Sequence, residues 1–114
     1  MLLPKAVDAL SALAHGHRLA VFRLLVRAGA NGMAAGDIAR EVGVLPNTLS
    51  SHLTILGHAG LIRSQRDGRS VIYSADYDGM RELLGFLVAD CCGGHPEICA
   101  PLASTVQACC PSDE

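Results

Sequence analysis

DIAREVGVLPNTLSSHLTILGH, residues 37–58, carries two helical patterns separated by a break. Ile38 and Val42 lie four residues apart, on one face of a short helix, and Gly43 interrupts it. Pro46 then suits the first turn of a second helix, because its missing N–H has no partner there anyway, with Leu45 or Asn47 at the cap. At 100° per residue, Leu49, Leu53 and Leu56 share one face of that helix; Asn47, Ser51, Thr54 and His58 share another, with Thr48 and Ser50 beside it. Two helices joined by a short turn containing glycine form a helix-turn-helix.

On the C-terminal side, LIRSQR (61–66) and RSVIYS (69–74) flank Asp67-Gly68. An Asp-Gly step between extended segments predicts a β-hairpin, here a wing beside the helix-turn-helix. Met80, Leu83, Leu84, Leu87 and Val88 then follow the i, i+3, i+4, i+7, i+8 spacing of an amphipathic helix, and Cys91 falls on the same stripe. On the N-terminal side, residues 4–14 place Val7, Leu10 and Ala14 at helical spacing, and residues 18–27 align Leu19, Phe22, Leu25 and Val26. Both stripes are expected to face the core. The predicted fold is mainly α with a small β-hairpin wing, divided into a winged helix-turn-helix domain at 1–90 and a cysteine-rich segment at 91–114.

Small hydroxyl and amide side chains on the exposed face of a recognition helix can hydrogen-bond base edges and phosphates in a major groove. That chemistry makes Asn47, Thr48, Ser50, Ser51 and Thr54 candidate DNA contacts. Arg66 and Arg69, flanking the hairpin turn, suit phosphates or the minor groove. His52, close to the Leu49/Leu53 face, reads as a hydrogen-bonded packing residue rather than a base reader.

The net charge of −2 conceals a division: residues 1–81 hold nine basic against six acidic side chains, whereas 82–114 hold no basic residue and five acidic ones. The balance of +3 against −5 fits a DNA-facing body and a tail that faces elsewhere. A chain of 114 residues has room for one modest core. The N-terminus shows neither a basic leader with an apolar core nor an 18-residue apolar run, so a cytoplasmic protein without membrane contact is expected. Five cysteines, an odd number, then read as free thiols rather than a disulfide framework.

Several strings resemble the ArsR/SmtB family of bacterial metal-sensing repressors: AHGHRL (14–19), GDIA (36–39), LPNTLSSHL (45–53), AGLI (59–62) and GRSVIY (68–73). The resemblance spans about residues 5–90. It implies a symmetric homodimer, with the first and last long helices at the interface, bound to double-stranded operator DNA with an imperfect inverted repeat.

The densest chemical constellation is DCCGGHPEIC at 90–99, which brings Cys91, Cys92 and Cys99 within nine residues. Thiolates favour soft ions. Three sulfurs with no obvious fourth ligand suit the pyramidal geometry of trivalent arsenic, with antimony as a close chemical relative. Adjacent helical residues point about 100° apart, so Cys91 and Cys92 can share an ion only where the helix ends; Gly93-Gly94 permits that. Two alternatives stay open: a zinc or cadmium site completed by His95 or a tail cysteine, and a thiol redox switch. Cys109 and Cys110 form a second pair, left outside the expected site.

The familial arsenic sensors carry a Cys-x-Cys string before the recognition helix, and residues 36–44 here have no cysteine. The familial zinc sensors pair Asp and His along the last helix, and Asp78 and Asp90 lack the matching histidines. The chain is instead similar to members with a vicinal cysteine pair and a third cysteine near the C-terminus, which respond to trivalent arsenic. The expected function is a repressor of a metalloid-resistance operon, released from its operator when that ion binds. A catalytic thiol protein is disfavoured, because no phosphate-cradling glycine loop or Cys-x5-Arg pattern occurs. No organic cofactor is expected.

Overall fold

The computed structural model describes residues 2–88. Helix α1 spans Leu3–Leu13 and α2 spans Gly16–Ala28; a 3-10 turn at Gly29–Asn31 leads into the two-residue strand β1, Met33–Ala34. Helices α3 (Ala35–Val42) and α4 (Pro46–His58) follow, then strands β2 (Ile62–Asp67) and β3 (Ser70–Ala75), and last α5 (Tyr77–Val88). This is the mainly α, winged helix-turn-helix architecture expected from the sequence. Cys91, Cys92, Cys99, Cys109 and Cys110 all lie outside the described residues, as does the whole 91–114 segment. Among the described residues, no helix is long and apolar enough to cross a membrane.

The α4 pattern folds as it reads. Leu45 stands at the N-cap in extended conformation with no side-chain cap bond, and Pro46 opens the helix. Leu49, Leu53 and Leu56 are buried against Ile38 of α3 and Val21, Phe22 and Leu25 of α2. Burial of such a side chain stabilises the fold by roughly 1.5–3 kcal/mol relative to exposure.

Helix α1 does not follow its expectation. Ala6, Ala9 and Ala12 face the core, while Val7 and Leu10 are exposed at 50% and 42%. Small side chains let α1 lie close to its neighbours, and the Arg18 side chain donates to the Ala12 carbonyl at 2.7 Å, tying α2 to the end of α1. The α2 stripe is also rotated: Val21, Phe22 and Leu25 are buried, but Leu19 is exposed. In α5 only Leu83 enters the core fully, leaving Leu84 and Leu87 about half exposed.

The sheet is antiparallel in the order β1-β3-β2. Asp67 pairs with Ser70, so the hairpin tip is Gly68-Arg69, one residue later than the Asp67-Gly68 step suggested. Gly68 has φ 65°, a left-handed conformation that glycine adopts without a Cβ penalty. Strand β1 pairs Met33 with Tyr73 and Ala34 with Ile72, and two residues are too few for any sequence periodicity to announce.

Helix α5 is set in place by three contacts. The Asp76 carboxylate accepts the Gly79 N–H at 3.1 Å, capping the helix. Tyr77 donates its hydroxyl to the Val26 carbonyl at 3.2 Å, fastening α5 to α2. Gly79 lies against the turn after α4, where a Cβ would overlap the Gly60 carbonyl oxygen. Substitution of Gly79 therefore requires α5 to move away from that turn.

Candidate nucleic-acid interface

The burial of Leu49, Leu53 and Leu56 fixes the rotation of α4 and turns its polar side outward. Asn47, Thr48, Ser50, Ser51 and Thr54 are all exposed, so the fold presents the five α4 candidates to solvent. The Thr54 hydroxyl donates to the Ser50 carbonyl at 3.0 Å, which holds that side chain along the helix. Arg66 and Arg69 are exposed on the wing, Arg69 in the tip itself and Arg66 opposite Val71.

An open groove of about 360 Å³ separates α4 from the wing, lined by Leu53, Thr54, Gly57, His58, Arg63 and Ser64 among others. Arg63 was absent from the sequence-derived candidates, although it stands on the same strand as Arg66. Among the described residues, Arg40 is ion-paired with Asp37 and Arg81 with Asp78, whereas Arg63, Arg66 and Arg69 form no ion pair. Among the described residues, no carboxylate stands against the exposed wing arginines within ion-pair distance. This arrangement is suited to phosphate contact beside a groove-reading helix.

His52 is buried, as a packing residue should be, at 7% exposure. The expected hydrogen bond is missing: neither ring nitrogen has a partner among the described residues. Its ring instead stands near those of His15 and His17. Burial, followed by the influence of His15, Arg18 and His17, lowers its pKa below the ordinary imidazole value. His15 itself caps α2, its Nδ1 accepting the His17 N–H at 3.2 Å. The His-x-His spacing at 15 and 17 was the visible hint of this cluster; the approach of His52 was not.

The helix-turn-helix domain family matches residues 13–65, covering α2 through most of β2. The HTH-type transcriptional regulator YgaV of Escherichia coli is 31% identical over 83 residues, 73% of this chain and 82% of YgaV. The chain belongs to the winged helix-turn-helix transcriptional regulators. The nodulation protein NolR of Rhizobium meliloti is 35% identical over 82 residues, which cover 72% of this regulator and 65% of NolR. The regulator thus spans just under two thirds of that relative. The homodimeric winged helix-turn-helix DNA-binding domain of Mb0332 from Mycobacterium bovis, a possible ArsR-family regulator, superposes with a TM-score of 0.64 at 31% identity; the match covers 77% of this chain and 81% of that one. A possible transcriptional regulator for arsenical resistance gives 0.63 at 26% identity over 72% and 82% of the two chains. The regulator thus shares the winged helix-turn-helix DNA-binding fold of a possible ArsR-family neighbour.

Proposed function

We propose that this regulator is a cytoplasmic homodimeric repressor, released from operator DNA when Cys91, Cys92 and Cys99 capture trivalent arsenic. Antimony shares the required chemistry. The reading is carried by one observation: three thiols within nine residues, Cys91 to Cys99, follow in sequence on the Tyr77–Val88 helix. Soft thiolates at neutral pH select soft ions over the hard cations of the cell. The homodimeric state of Mb0332 and the arsenical-resistance description of a second neighbour support the reading.

The exposed Leu84 and Leu87 of α5, with Val7 and Leu10 of α1, supply apolar surface for the second copy. Two reading helices in a symmetric dimer then address the halves of an imperfect inverted repeat. An inducer releases DNA only by binding the DNA-free form more tightly, and the coupling is reciprocal. A coupling of about 1–3 kcal/mol weakens operator binding by about 5- to 150-fold.

The test uses a labelled duplex selected by the protein from random DNA. Arsenite titration is expected to release it, while the triple variant Cys91→Ser, Cys92→Ser, Cys99→Ser stays bound. Equal release of the parent and the triple variant defeats the assignment. Release by zinc or cadmium alone, or only after peroxide has formed a disulfide, replaces arsenic with the corresponding alternative.

A further inference from the structure

The chain brings three imidazoles together from two distant segments. His15 and His17 sit at the start of α2, and His52 comes from the middle of α4. Ring centroids are 4.8 Å apart for His15 and His52, 5.6 Å for His15 and His17, and 5.8 Å for His17 and His52. One nitrogen from each lies within 4.8 Å of the others. His15 and His17 are exposed and open the cluster to solvent, whereas His52 forms its buried floor.

Among the described residues, neither nitrogen of the buried His52 ring has a partner, which is unfavourable because the ring loses water without gaining a hydrogen bond. A neutral imidazole has one ring nitrogen with a lone pair to offer an ion. We propose that His15, His17 and His52 form a binding site for a borderline divalent cation such as zinc, cobalt or nickel, with water completing the coordination.

Neutral imidazole is the ligand these ions prefer, and three protein ligands with one open position is a familiar zinc arrangement. Among the described residues, no carboxylate belongs to the cluster, which disfavours magnesium and calcium, ions that require oxygen ligands. Bonds of about 2.0–2.1 Å bring tetrahedral ligand nitrogens to about 3.3 Å from one another, so the rings must close inward. The two exposed rings can swing, while His52 is held by the packing of α4. Arg18 is the opposing group: its charge stands near the cluster, although its side chain is directed to the Ala12 carbonyl.

Binding also changes the backbone contact at His15. Its Nδ1 now accepts the His17 N–H. An ion on Nδ1 takes that lone pair, and an ion on Nε2 moves the ring proton to Nδ1; in both cases the cap is lost. Occupancy therefore exchanges a local cap of α2 for a link between the α1–α2 turn and α4, at a residue adjacent to Ser51. The site uses none of the cysteines and differs from them in ligand chemistry.

The experiment uses the full-length, tag-free chain with Cys91, Cys92, Cys99, Cys109 and Cys110 replaced by Ser and His95 by Ala. Cobalt(II) absorption and zinc calorimetry are expected to show one ion per chain, with visible ligand-field bands and no thiolate charge transfer. His15→Ala and His17→Ala, both at exposed positions, should each weaken binding at least roughly tenfold, the smaller loss seen even for outer partners of metal ligands. Each should also reduce the zinc-induced rise in Tm. No binding by the cysteine-free parent overturns the proposal, as does unchanged binding in both alanine variants. A folded His52→Gln chain that binds zinc as tightly as the parent also overturns it, reducing the feature to a surface His-x-His chelate. Arsenite release of the native chain is read separately, so either reading can fail alone.

Discussion

Helices α1 and α4 are both amphipathic in sequence, yet they use their apolar residues in opposite ways. In α4 the leucines point inward, with Leu49 and Leu56 at 1% and 0% exposure, and the polar face looks out. In α1 three alanines fill the inward face, and the large side chains Val7 and Leu10 look out. Close packing explains the exchange: alanine permits backbones to approach, and the bulkier residues then have no room on that side. Periodicity marks an apolar face, but it does not say whether that face meets the same chain or another.

The contrast can be broken most forcefully at its packed end. Leu56→Ala removes a side chain with no exposed surface and is expected to destabilise the fold by about 2–5 kcal/mol, measured by urea denaturation. A loss as small as that of an ordinary surface substitution would deny α4 its role as the core helix.

The outward face of α1 is tested by charge. In the proposed dimer, Leu10→Asp combined with Leu84→Asp should weaken self-association by on the order of 2 kcal/mol or more, converting dimer to monomer in sedimentation with helical circular dichroism retained. A dimer of unchanged affinity would place the subunit interface elsewhere.

The inward face of α1 answers to size. Ala9 is fully buried, so Ala9→Leu should lower stability by roughly 1–3 kcal/mol through overpacking, although leucine is as good a helix former. A stabilised variant would show that α1 packs loosely and that its alanines are not a fitted surface.

The smallest effect sharpens the comparison at the buried polar residue of α4. The folded pKa of His52 is lowered from 6.5, so above that value both folded and unfolded chains hold the ring neutral and stability is complete. As pH falls below it, the unfolded chain takes up the proton first, and stability declines until the folded value is passed. Denaturation midpoints measured downward from neutral pH should show this loss, and His52→Gln should flatten it. An identical pH profile in the variant would assign the loss to other groups.

Much of the candidate interface was legible because local chemistry writes it. Pro46 and the Leu49, Leu53, Leu56 spacing delimit α4, and that rotation alone exposes Asn47, Ser51 and Thr54. The glycine-marked turn between extended segments announces the wing, with its tip one residue from the expected place. Arg63 was missed because a single arginine on a strand carries no signal until the strand is seen to border a groove.

Helix periods, breaks and hairpin turns depend on residues a few positions apart, so the chain alone prescribes its helix-turn-helix, its wing and the polar face of α4. The choice of alanines over Val7 and Leu10 as the inner face of α1, the pairing of Met33 with Tyr73, and the meeting of His52 with His15 and His17 arise from contacts across tens of residues. Those choices follow from which surfaces can approach one another in space, a condition that no local spacing encodes.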